Sequence, residues 1–141
     1  MIDIVNLQRK VLIETDEIRA FTQSLVLNIK EANQMSFSVA FISNGRMKQL
    51  NEMFRGKEVT TDVLSFPYEA DDFDSEKNNL GDVVISAEQA QKQAAENALT
   101  LVNEIKQLIL HGVLHLCGYD HETDSGEMNS RELELRDRLG I

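Results

Sequence analysis

All three histidines of this 141-residue chain fall in one short run, His111-Gly112-Val113-Leu114-His115-Leu116-Cys117-Gly118-Tyr119-Asp120-His121. His111 and His115 are four apart, so a helix sets both imidazoles on one face, one turn apart. Gly118 then offers a backbone that can leave the helix in a left-handed conformation and bring His121 back toward the other two. Three neutral imidazoles meeting at one point suit Zn²⁺, at roughly 2.0–2.1 Å per bond. Three protein ligands leave a fourth position for water or substrate, the mark of a catalytic rather than a structural zinc. A closed structural zinc is the alternative. Cys117 would be its natural fourth ligand but lies on another face of the helix, which leaves Asp120 or Glu122 for that place.

The spacing H-x3-H-x2-G-x2-H is that of the metzincin form of the zincin motif. One position departs from it. Where a metalloprotease carries Glu as general base after the first His, this chain has Gly112. A glycine inside a helix costs about 1 kcal/mol relative to Ala and cannot take a proton from water. The motif thus predicts a zincin-like scaffold without peptide hydrolysis. The missing side chain is expected to leave open space beside the metal.

Hydrophobic patterning places this run in one α+β domain, residues 1–141, with a small mixed sheet packed against about five helices. Ile2, Ile4 and Val11-Leu12-Ile13 suggest one or two opening strands. Ile18, Phe21, Leu25, Ile29 and Ala32 recur at helical spacing over 15–32. Phe37, Val39 and Phe41 alternate with smaller residues as a strand. Asn44 can cap a helix with Met47, Leu50 and Phe54 on its buried side, ended by Gly56. Val63-Leu64-Ser65-Phe66 reads as a strand stopped by Pro67, and Val83-Val84-Ile85 as its antiparallel partner across an acidic solvated loop, 69–80. Ser86 with Gln89 is a capping box for a helix to about Leu99. Thr100 caps a buried helix that ends in the histidine run, and Asp124 with Glu127 opens a last helix.

Charge narrows the partners. The formal net charge is −10, against a generic nucleic-acid binder or DNA as partner. Yet Arg46, Lys48, Arg55 and Lys57 bunch together, a run able to hold phosphates or to form a solvated helix face. The single cysteine excludes an internal disulfide framework and fits a reducing compartment. No apolar stretch approaches ~18 residues and no charged n-region opens the chain, so a cytoplasmic protein without a membrane partner is expected.

With these stretches in hand, the chain resembles the YbeY family of endoribonucleases, bacterial rRNA maturation factors. The histidine run fits the family's zinc signature, including the glycine after the first histidine. Arg55-Gly56-Lys57 with Thr61-Asp62-Val63-Leu64-Ser65-Phe66-Pro67 fits a second signature, Leu80-Gly81-Asp82-Val83-Val84-Ile85 a third, and Glu127-Met128 falls where the family has a Glu-Met pair. Thr60 departs from the proline of many members. The resemblance implies a zincin-like fold with the metal-binding helix near the C-terminus and one Zn²⁺ per chain on His111, His115 and His121. It also implies single-stranded RNA as substrate, with a role in 16S rRNA 3′-end maturation and ribosome quality control beside the ribosome or small-subunit proteins. Arg55 matches the family's functional arginine. A guanidinium can clamp two phosphate oxygens as charge grows in the transition state; a structural ion pair is the alternative. Catalysis is therefore assigned to Arg55 and His115, substrate binding to Arg55 and Lys57, and support of an imidazole to Asp120. The RNA's own 2′-hydroxyl is one candidate nucleophile, which would lessen the need for a water-activating base. The competing functions are a zincin-like metallopeptidase and a non-catalytic ribosome-associated factor with a structural zinc.

Overall fold

The computed structural model describes residues 2–69 and 78–141. Its elements are β1 (Ile2–Asn6), α1 (Thr15–Asn28), a 3₁₀ turn (Lys30–Ala32), β2 (Ser36–Ile42), α2 (Asn44–Arg55), β3 (Val63–Pro67), β4 (Asn79–Ser86), α3 (Ala87–Glu96), α4 (Leu101–Leu116) and α5 (Glu127–Leu139). The strands form one sheet in the order β1-β2-β4-β3. The first three run parallel, and β3 lies antiparallel to β4 at the edge. This is the mixed sheet with five helices that the patterning predicts. Of the acidic loop expected over 69–80, residues 70–77 lie outside the described residues. No helix among the described residues is long and apolar enough to cross a membrane.

Alternation along the strands decides which helix goes where. Phe37, Val39, Phe41, Val83 and Ile85 point into the main core with Ile18 and Leu25 of α1, Ile105, Ile109 and Val113 of α4, and Leu135 of α5. The opposite pleat carries Ile42, Leu64 and Val84, which pack with Met47 of α2 in a smaller core. Helix α4 therefore lies on one face of the sheet and α2 on the other, and both end at the same side of the β3 edge.

Four local expectations are corrected. Val11 and Ile13 are buried, but in a loop; they join the core with no strand pairing. The helix expected over 15–32 stops at Asn28, because Ile29 turns extended to reach the core before the 3₁₀ turn. In α2 the cap is Ser43, whose Oγ accepts from the Arg46 N–H at 3.2 Å. Asn44 instead accepts from Ser86 Oγ at 2.5 Å and Thr60 Oγ1 at 3.3 Å, tying α2 to the segment before β3. The expected burial of α2 holds for Met47 and half holds for Leu50, but Phe54 is exposed. The Ser86 and Thr100 caps accept from the Gln89 and Asn103 N–H groups as expected.

Candidate metal centre

Helix α4 has an apolar face wide enough to be buried along its length, and His111 and His115 sit on the stripe left open at its C-terminal end. The helix closes at Cys117, and Gly118 adopts φ +102°. A side chain rarely takes this angle. The Gly118 N–H then donates to the His115 carbonyl at 3.0 Å and the Tyr119 N–H to Leu114 at 3.1 Å, satisfying the last turn. The next turn is held by the Asp120 carbonyl, which accepts from Thr123 and Asp124, and by Asp120 Oδ1, which accepts from the Glu122 N–H at 3.0 Å. It carries His121 back to the helix.

The three imidazoles lie with ring centroids 4.8, 5.0 and 5.4 Å apart. Their donor nitrogens all fall within 4.8 Å of one another. Donors around a tetrahedral zinc sit roughly 3.3 Å apart, so small side-chain adjustments would close the set. The second nitrogens fix which atom would face a metal. His115 Nδ1 lies 3.0 Å from the Tyr119 carbonyl, which can only accept, so Nδ1 carries the proton and Nε2 the lone pair. His111 Nδ1 lies 2.6 Å from Glu132 Oε1 and is tied in the same sense. Burial works to raise the Glu132 carboxyl, but the His111 bond and the nearby Arg136 outweigh it and hold the group below the usual carboxylate range. His115 is pushed down by its burial and then by the neighbouring His111, which favours the neutral ring that a metal needs. The donor set fits a zinc-type ion.

Glu132 is a supporting residue that the sequence does not reveal; it stands 21 residues from His111. Asp120, by contrast, bonds through its side chain to the main chain of the turn. Cys117 stays outside the triad: burial and then the charge of Glu31 push its thiol up to about 11, away from the thiolate a metal would bind.

A second network locks the loop from below. Arg131 grips Glu31 with two bonds of 2.9 and 3.0 Å, and Tyr119 Oη donates to the same carboxylate at 2.9 Å. Arg131 holds the Glu31 carboxyl down at about 2, from an ordinary value of 4.5. Because the folded pKa is depressed, this stabilisation is complete above pH 4.5 and is lost as pH falls from there toward 2. Both partners are largely buried, and the shift corresponds to about 3 kcal/mol. Glu31→Gln is therefore expected to lower stability at pH 7 by that order and to flatten the acid limb of urea-unfolding curves between pH 5 and 2. A variant as stable as the wild type at pH 7 would show the network to be dispensable.

The histidines open on a cavity of about 740 Å³ walled by the end of α2, by 61–67 and by the metal loop. Arg55, Asp120 and Glu122 line it; Lys57 does not. Lys57 is exposed beyond the helix-ending Gly56. Arg55 stands at the rim, 3.6 Å from Glu122, with both side chains substantially exposed. Such a pair contributes about 0–1 kcal/mol, so it leaves Arg55 available to an anion.

Gly112 corrects the expectation of open space beside the metal. A Cβ there would lie 2.7 and 3.0 Å from the methyls of Val83 and 3.2 Å from Ser65 Oγ. The glycine faces the sheet, and Ser65 Oγ donates to its carbonyl at 3.0 Å. Its physical reason is the close approach of α4 to β3 and β4.

Comparison with known proteins agrees in fold and in extent. The family model described as endoribonuclease YbeY matches residues 3–140. A protein of Carboxydothermus hydrogenoformans named endoribonuclease YbeY is 41% identical, over 100% of this chain and 99% of its own. One of Koribacter versatilis with the same name is 43% identical over 84% and 78%. A solution structure of a Thermotoga maritima protein superposes with TM-score 0.66 at 26% identity, covering 99% of this chain and 89% of that one.

Proposed function

The chain belongs to the endoribonuclease YbeY family, and from that premise we propose that it is a zinc-dependent endoribonuclease that cuts single-stranded RNA at the three-histidine centre. The observation that carries this is the convergence of His111, His115 and His121, two of them tied through Nδ1, in a cavity that also holds Arg55. A bound zinc would supply a Lewis acid for a phosphoryl oxygen or lower the pKa of water to about 7.

The chain's own residues do the rest. The histidines, braced by Glu132 and the Tyr119 carbonyl, hold the ion. Arg55 exchanges its weak pairing with Glu122 for two oxygens of the scissile phosphate and stabilises the charge that grows on them. Lys57, outside the cavity, steers the RNA backbone as a point charge. Asp120 holds the turn that presents His121. Our reading of the physiological substrate is the 3′ end of 16S rRNA, met in the cytoplasm at the ribosome and its small-subunit proteins.

The test is cleavage of a single-stranded RNA by metal-loaded and metal-depleted protein, with casein as a parallel substrate. Metal-dependent cleavage of the RNA alone is expected; metal-dependent cleavage of casein would return the site to the peptidases. Arg55→Ala should keep its helical signal and its metal yet cut RNA on the order of 10²–10³ more slowly. Undiminished cleavage would remove Arg55 from catalysis, and an unfolded variant would make its ion pair structural.

A further inference from the structure

Phe54 is 59% exposed, yet its ring is held in place. It packs edge-to-face on Phe66, with centroids 5.1 Å apart and planes at 69°. That contact leaves ring surface open to solvent. Single exposed apolar residues are ordinary, and Met53 and Val59 nearby are exposed too. Phe54 differs from those two in lining the cavity that holds the three histidines and Arg55.

Two further features bear on what it meets there. Phe54 directly precedes Arg55, and both line the cavity, so the end of α2 offers it an aromatic ring and a guanidinium. Arg46, Lys48, Arg55 and Lys57 are all exposed along and just beyond this helix, on a chain whose net charge is −10. A single-stranded RNA alternates a charged phosphate with a flat base, and the pair Phe54-Arg55 matches that alternation.

We infer that Phe54 is a stacking platform for an unpaired nucleobase next to the scissile phosphate. The inference rests on the endoribonuclease reading above and adds to it the means by which single strands are selected. Inside a duplex both faces of a base are covered by its neighbours, whereas an unpaired base can swing out and lay one face on an aromatic ring. Every base has such a face, so the platform favours single strands without dictating sequence.

The chain has no tryptophan, which makes Phe54→Trp a sole tryptophan reporter, excited apart from the tyrosines. Cleavage of a single-stranded oligouridylate by wild type, Phe54→Leu and Phe54→Trp is to be compared with cleavage of the same RNA made abasic at the nucleotides flanking the cut. Phe54→Leu should raise KM roughly 5- to 100-fold on the base-containing RNA, with kcat nearly unchanged. On the abasic RNA it should match the wild type. Phe54→Trp should restore KM, and its fluorescence should be quenched by the oligouridylate but not by the abasic strand of equal charge. An unchanged KM for Phe54→Leu, or equal penalties on the two RNAs, overturns the stacking platform while leaving the endoribonuclease intact. A wild type that cuts neither RNA overturns the endoribonuclease reading and this inference with it.

Discussion

Replacing His115 with alanine is expected to give a folded protein that holds no stoichiometric metal and cuts no RNA. His115 is the central ring of the triad, with the other two rings 4.8 and 5.0 Å away, whereas His111 and His121 are 5.4 Å from each other. Apparent binding free energies of about 10–16 kcal/mol for four-ligand zinc sites put one ligand at roughly 3 kcal/mol, more than a hundredfold in affinity. The fold should survive. The residues of α4 that build the core, Ile105, Ile109, Leu110, Val113 and Leu114, are all fully buried and untouched by the change. The loss on the protein side is one hydrogen bond to the Tyr119 carbonyl, about 0.5–1.5 kcal/mol. Metal content after dialysis against a chelator, beside thermal unfolding, separates the two effects. A full complement of zinc in the dialysed variant would mean that the ligands are wrongly assigned. In the wild type, metal binding should weaken as pH falls through about 6.5, where a free imidazole takes up its proton. The burial of His115 lowers its pKa from that ordinary value, so protons compete for this ligand later than they would for a free imidazole.

How much of this centre a reader of the sequence can see follows from how far apart its parts lie in the chain. The histidine triad is local: i, i+4 and a glycine turn, each step set by backbone geometry, and α4 with Gly118 at φ +102° follows that pattern. The antiparallel pair β3 and β4 is near-local and was legible for the same reason. What orients the ligands is not local. Glu132 reaches His111 from the next helix, and Glu31 meets Tyr119 and Arg131 across 88 and 100 residues. A glutamate on an amphipathic helix gives no sign that it points inward. Periodicity also misleads where an apolar residue is buried outside the element it seems to continue. Ile29 keeps the helical spacing of α1 but is extended, and Val11 and Ile13 are core residues of a loop. Phe54 fails the other way: it stands where a buried helix face is expected, yet it opens on the cavity that the histidines and Arg55 share.

Gly112 joins these two kinds of information, because its identity is visible in the sequence and its reason only in the packing. Gly112→Ala should destabilise the protein by up to about 2 kcal/mol, although alanine is worth about 1 kcal/mol more than glycine within a helix. The added methyl would meet Val83 at 2.7 Å, well inside the 3.5–4.0 Å or so at which carbon atoms attract. Val83 is fully buried and β-branched, so it has little freedom to turn aside; overpacking of this kind costs about 1–3 kcal/mol. Gly112→Glu should go further and prevent folding, since it drives a carboxylate between α4 and the sheet with no partner for its charge, a cost of several kcal/mol against a typical total stability of about 5–15. The decisive measurement is a double-mutant cycle in urea. Val83→Ala alone opens a cavity, but with Gly112→Ala the new methyl moves into the space, so the double variant should be more stable than the sum of the singles by upwards of about 1 kcal/mol. Strict additivity, or a Gly112→Ala variant more stable than the wild type, would mean that α4 does not press on Val83, and the glycine would again have to be explained by access to the metal.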